Sequence, residues 1–350
     1  DFDDVAQGIR AESSNSPAFD SDGLDVTGVR VRGTRSGDCA FPGNACAFSY
    51  GLRNAIQINP HPSATYAPGP VAFAASVTGS VIESDLPEHR FRAGIDARNV
   101  GLLAQGNDIV SINHDVFVLA QPAGQTVTIG GSDINDAAQR NTFRGFGVAY
   151  YDPSAAGPAA IQNNRFTAAA DLANNAAPIG AGDWSAMRLI HNNVGQTVSV
   201  TGNEFSGYER GVLIEYFPGV TLSGNSFAPL AGSSTFQHVR LSNKELFSGA
   251  APAPIPGSLT LTADSNTFNG SGGTAVYLLN DNAQLPADAD HYGSITFSNS
   301  VFDGALGNYF ELSPLTCVST NDAGCPLKPV YDNAIGNNPA GCRHCTRARF

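Results

Sequence analysis

Only two lysines, Lys244 and Lys328, occur in a chain of 350 residues, and Lys and Arg together number 19 against 31 Asp and Glu. The net charge of −12 leaves no basic footprint for nucleic acid. It also opposes polyanionic substrates unless a local arginine patch reverses the field. One methionine and one tryptophan stand among 38 glycines and 21 prolines, which argues for a turn-rich β chain, since glycine and proline interrupt helices. No apolar run approaches the roughly 18 residues that suggest a membrane span. The opening Asp1-Phe2-Asp3-Asp4 has neither the cationic start nor the apolar stretch of a signal peptide. The chain therefore reads as soluble and as a processed mature form. Low charge with abundant Ser, Thr, Asn and Gly fits an extracellular surface.

What the chain does have is a recurring phrase, Asn-x-Phe. It appears at Asn141-Thr142-Phe143, Asn164-Arg165-Phe166, Asn203-Glu204-Phe205, Asn225-Ser226-Phe227 and Asn266-Thr267-Phe268, and with serine leading at Ser300-Val301-Phe302. The positions imply a unit of about 22 residues lengthened by insertions, the signature of a solenoid. Before the phrase come runs of alternating polarity, such as Val198-Ser199-Val200, Val220-Thr221-Leu222, Leu259-Thr260-Leu261 and Ile295-Thr296-Phe297. Period-two alternation bounded by Gly, Asn and Ser predicts strands. After the phrase comes a turn and a second run: 147–151, 186–190, 211–215, 238–242 and 275–279. Two strands with their turns make one predicted coil.

If coils stack about 4.8 Å apart, like residues fall on like. The phenylalanines then form an internal column, each burying roughly 150–250 Å². The asparagines sit inside the bends, where an amide donates to one coil's carbonyl and accepts from the next coil's N–H. Ser300 can make only part of that ladder.

This pattern resembles the right-handed parallel β-helix superfamily, which includes pectate-lyase-like polysaccharide enzymes, phage tailspikes and autotransporter passenger domains. The resemblance covers residues 94–313, and the runs 26–31, 55–58 and 71–74 extend it upstream. It implies an all-β, single-stranded solenoid as one continuous domain over 1–313, with weaker repeats in 1–93. It implies architecture, not function. Residues 314–350 leave the repeat and end on a basic stretch, Arg343 to Arg349. They are expected to cap the last coil's open edge, the alternative being a docking or anchoring tail.

Six cysteines fall in three close pairs, Cys39 with Cys46, Cys317 with Cys325, and Cys342 with Cys345. Even number and pairing predict disulfides and an oxidising compartment. The last pair also has the spacing of zinc ligands, although the wide Cys317/Cys325 interval does not match a zinc knuckle. Haem attachment fits less well still, because Thr346 stands where histidine is required. Asp20, Asp22 and Asp25 give half of a calcium loop, which reads rather as a solvated acidic turn. No cofactor is expected, with calcium at the acidic turn, or zinc at the C-terminal cysteines, as the alternatives.

The second strands carry the candidate chemistry. With Val212 and Ile214 inward, Leu213 and Glu215 face out. The same phase turns Tyr151, Arg188, Arg240 and Tyr277 outward, with Asp152, His191 and Lys244 in the following turns. Under an enzyme reading, a lyase would use Arg188 or Arg240 to neutralise a uronate, and Lys244, His191 or Tyr151 as base. A hydrolase would use the carboxylates Asp152 and Glu215. Tyr151, Arg188, Tyr277 and Trp184, the last in a long insertion, are the candidate ligand-binding residues. The bland alternative is that Glu215 and the arginines are ion pairs between coils on a solvated sheet.

The chain lacks the Trp-Ile-Asp-His-type stretch and paired-arginine loop of the pectate lyases. It also lacks the Asn-Thr-Asp, Asp-Asp, Gly-His-Gly and Arg-Ile-Lys set of the polygalacturonases. The expected function is accordingly a secreted or cell-surface solenoid with a structural or adhesive role, a rod that makes protein or glycan contacts or self-associates. The alternative is an extracellular polysaccharide-cleaving enzyme, a lyase rather than a hydrolase, whose insertions wall a groove.

Overall fold

A computed structural model describes residues 2–3, 7–12, 23–34, 54–59, 73–86, 89–111, 114–119, 121, 124–152, 158–169, 185–191, 197–215, 219–242, 259–279, 292–312 and 348–349. They form a parallel β-helix. The chain divides into two compact units, Asp1–Met187 and Arg188–Phe350, and the strand Ser185–His191 crosses the boundary. All six cysteines, Trp184, Lys244, Asp20 and Asp22 lie outside the described residues. No helix among those residues is long and apolar enough to cross a membrane.

Each coil contributes three strands, in the order sheet I, sheet II, sheet III. In the first unit, sheet I stacks Leu24–Thr27, Ala74–Thr78, Gly101–Gln105, Val127–Ile129 and Ala159–Gln162. Sheet II stacks Phe2–Asp3, Arg30–Gly33, Val81–Ser84, Asp108–Ile109, Thr142–Phe143 and Arg165–Thr167. Sheet III stacks Ile9–Glu12, Ile56–Asn59, Ala93–Arg98, His114–Leu119 and Val148–Asp152. The upstream runs thus join the same architecture.

The second unit repeats the plan. Sheet I has Val198–Thr201, Gly219–Ser223, Leu259–Asp264 and Tyr292–Ser298, and sheet II has Glu204–Tyr208, Ser226–Pro229, Thr267–Phe268 and Val301–Phe302. Sheet III has Arg210–Glu215, Gln237–Ser242, Gly272–Leu279, Leu306–Leu312 and Ala348–Arg349.

Alternation along the chain predicts two strands per coil, and the third strand corrects that expectation. The x-Phe half of the phrase is a short strand in its own sheet, because in most copies the residue just before the asparagine, or before Ser300, is left-handed. Asn163 (φ 52°), Gly224 (φ 63°), Ser265 (φ 55°) and Asn299 (φ 48°) all occupy this position. One left-handed residue turns an otherwise extended chain from sheet I into sheet II. Asparagine tolerates that conformation better than most residues, whereas Ser265 holds it at a cost of order 1–3 kcal/mol.

The bend carries the polar ladder. Asn225 Oδ1 accepts from the backbone N–H of Asn203 at 3.0 Å and from its Nδ2 at 3.1 Å. Asn225 Nδ2 donates to Val200 O at 2.9 Å and to Asn266 Oδ1 at 3.0 Å. Both backbone partners belong to the preceding coil. Ser300 accepts from Asn266 N–H at 3.3 Å and donates to Ser298 O at 3.0 Å, the partial rung expected of a hydroxyl. In the first unit the ladder runs from Asn164 through Asn141 and Asn107 to Ser80.

Beside it stands the apolar column. Phe205, Phe227, Phe268 and Phe302 stack at 4.8, 5.0 and 5.0 Å. Phe143 and Phe166 are 5.1 Å apart, and Ile109, Ile82 and Val31 continue their column in register. All five are fully buried. These coils escape the phrase because isoleucine or valine replaces phenylalanine, yet Asn107-Asp108-Ile109 keeps its logic.

One buried carboxyl in the first unit has a pH consequence. Asp115 is fully buried, accepting from Gly145 N–H at 2.7 Å and from Ser111 Oγ at 2.9 Å. Burial pushes its pKa from 3.8 up to about 7, against the opposing pull of these hydrogen bonds. The folded chain therefore holds this proton more tightly than the unfolded one. The associated stability is complete below 3.8 and is lost as pH rises through about 7. In that interval the wild type should lose up to about 1.4 kcal/mol per pH unit relative to Asp115→Asn. Urea denaturation of both proteins across the interval checks this, and parallel pH profiles would refute it.

Candidate functional site

The outward face of sheet III in the second unit brings the sequence candidates together. Its register sets Leu213 opposite Arg240, Arg240 opposite Tyr277, and Tyr277 opposite Glu311. Glu215 lies one outward position further along, opposite Ser242. The in-and-out phase read from the sequence is therefore kept, but Glu215 and Arg240 occupy adjacent columns rather than one.

The expectation of an exposed strip is corrected at Glu215. Leu213, Glu215 and Ser242 are buried at 2%, 0% and 2% exposure, so this part of the face is closed to solvent. The Glu215 Oε2 accepts from Arg188 Nε at 2.7 Å, and the Arg188 side chain is itself only 16% exposed. An ion pair between coils forms, but a desolvated one. Such a pair is costly to break because either partner alone would be a buried charge.

Arg240 is spent differently. Its guanidinium lies over the Tyr277 ring, 5.7 Å from the centroid, a cation–π contact that steadies both flat groups. Beyond Tyr277, Glu311 Oε2 accepts from Thr274 Oγ1 at 2.6 Å and from Asn308 Nδ2 at 3.3 Å. These residues border a cavity of about 320 Å³ lined by Ser234, Thr235, Phe236, Gln237, Gly273, Thr274, Gly307, Asn308 and Glu311. His238, next along the strand, is a core residue. Its Nε2–H donates to Asn269 O at 2.7 Å, and burial pushes its pKa down to about 4.

The remaining candidates are placed less fully. Tyr151 and Asp152 close the strand Val148–Asp152, and His191 ends Ser185–His191; their side chains lie outside the described residues. Glu311, Thr274, Asn308 and Gln237 were not singled out from the sequence. A signal existed, since a strand is due after Ser300-Val301-Phe302 and its outward residue falls on Tyr277's column.

The first unit has its own polar group on sheet III. Asp96, 2% exposed, takes a bidentate contact from Arg98 at 2.7 and 2.8 Å and a hydrogen bond from Asn54. Arg98 in turn lies 5.6 Å over Phe117. The carboxylate is thus saturated by a charge-assisted fork. No group of three or more His, Cys, Asp or Glu residues among the described residues is arranged to hold a metal.

Comparison with protein-family models, with curated proteins and with solved structures gives no match to this chain.

Proposed function

We propose that this chain is a secreted or cell-surface β-solenoid with a structural or adhesive role, related to the right-handed parallel β-helix superfamily through its surface members rather than its cleaving ones. The observation that carries this reading is Glu215, fully buried and engaged by Arg188. The carboxylate best placed for hydrolysis is locked into the scaffold, and the arginine a lyase would turn on a uronate is its counter-ion.

A hydrolytic pair with Glu311 is also disfavoured. Glu311 is three strands away from the Leu213 row, roughly 14 Å at about 4.8 Å per strand. Glycoside hydrolases hold their two carboxyls about 5–9.5 Å apart. Arg240 over Tyr277 offers a flat cationic and aromatic binding surface. Paired cysteines, low charge and scarce lysine support an extracellular setting, with a glycan, a surface protein or a second copy as partner.

The test is a screen of acidic and neutral polysaccharides in which retention on the immobilised sugar and release of unsaturated or reducing ends are measured together. Retention without new chain ends is the expected result. Cleavage that Arg240→Ala abolishes, in a variant with an unchanged melting curve, would overturn the reading in favour of a lyase.

A further inference from the structure

We propose that the cavity at the start of the sheet III strands in the second unit is a binding site for a neutral sugar residue. This rests on the reading of the chain as a surface solenoid that makes glycan contacts, and it adds the class of glycan and the place.

At about 320 Å³ the cavity lies at the lower end of the range for ligand pockets, roughly 300–1,000 Å³. Most such pockets are apolar, and this one is not. Its lining offers hydroxyls from Ser234, Thr235 and Thr274, amides from Gln237 and Asn308, and one carboxylate. Mixed donors and acceptors at close quarters suit a polyol, whose neighbouring hydroxyls both give and accept.

The carboxylate is held for that task. Thr274 and Asn308 both bond Glu311 Oε2, and no bond to Oε1 occurs among the described residues. Gln237 Oε1 is buried and has no hydrogen-bond partner among them. An unmade hydrogen bond of this kind costs about 1–3 kcal/mol, and a bound hydroxyl or its bridging water relieves it.

Two glycines in the lining let the strand starts pack closely. Gly273 has φ +63°, and a Cβ there would meet the Phe236 ring at 2.7 Å. A Cβ at Gly307 would approach Gly273 O to 3.0 Å.

Charge selects the class. Among the described residues the lining holds Glu311 and no Lys or Arg, so a uronate or sulfated sugar would bring its anion against a carboxylate. A divalent cation would find one carboxylate where six to eight oxygen ligands are typical for calcium.

Calorimetric titration of the full chain with neutral gluco-, galacto-, manno- and xylo-oligosaccharides, and with an oligogalacturonide, tests the site. At least one neutral sugar should bind and the oligogalacturonide should not. Glu311→Gln should weaken binding about tenfold, the loss of one charge-assisted hydrogen bond. Ser234→Trp should abolish binding, because Ser234 is exposed and the indole would fill the cavity; Thr235→Trp, also exposed, replaces it if that variant does not fold. Tighter binding of the acidic oligomer, or no binding of any neutral one, overturns the proposal. Binding that survives the tryptophan variants overturns the site while leaving the adhesive reading intact. Cleavage of the bound sugar overturns the adhesive reading instead.

Discussion

Replacing Asn225 with leucine is expected to destabilise the second unit by about 4 kcal/mol, although the side chains are nearly equal in size. Asn225 is 1% exposed and uses every hydrogen-bonding position of its amide: two accepted from Asn203, one donated to Val200 O and one to Asn266 Oδ1. Leucine leaves the N–H of Asn203 and the carbonyl of Val200 unpaired in a dry bend. Each such orphan costs about 1–3 kcal/mol, and the two neighbouring amides lose a partner as well. Burying one more apolar side chain does not offset that. Coils interact mainly with their neighbours, so amide exchange at Asn203 should accelerate along with the shift in urea midpoint. Ser300→Ala, at the partial rung, should cost under about 1 kcal/mol. An Asn225→Leu protein as stable as the wild type would show that the ladder accompanies the fold without supporting it.

The Arg188–Glu215 pair gives the second large effect. Arg188→Met should cost about 3–5 kcal/mol, because it removes the guanidinium from a carboxylate with no solvent exposure. Combining it with Glu215→Leu should restore stability to near the wild-type value, since apolar replacements of a buried pair are often neutral or better. Thermal denaturation of the two single variants and the double variant measures this directly. A single variant that melts with the wild type would mean that the carboxylate finds other compensation, and would remove the main support for the scaffold role of Glu215. The cycle also bears on function, because restored folding with unchanged glycan retention separates the pair from the binding surface.

Much of this architecture can be read from the residues. The Asn-x-Phe spacing predicts a stacked solenoid, and the stacks form, with Phe227 lying 4.8 and 5.0 Å from its neighbours. The inward phase of Val212 and Ile214 follows from alternation, and register places Val239 and Leu241 beside them. The third strand was not legible, because a left-handed residue at Gly224, Ser265 or Asn299 looks in sequence like any turn residue inside a strand pair. The burial of Glu215 was not legible either. Alternation says which way a side chain points, and nothing about what lies over that face.

The cavity shows the same division. Gln237, Thr274 and Asn308 are separated by 37 and 34 residues, yet the register sets them side by side. Insertions of unequal length scramble their spacing in the chain, while the strand ladder restores it in space. By itself the sequence determined the stacking repeat, its inward columns and the polar rungs in its bends, because those depend on patterns that repeat along the chain. Only the tertiary structure decided that Glu215 is closed off, that Arg240 rests on Tyr277, and that Glu311 borders a polar cavity. Those properties depend on which residues of distant coils meet and on what covers them, and local pattern carries neither.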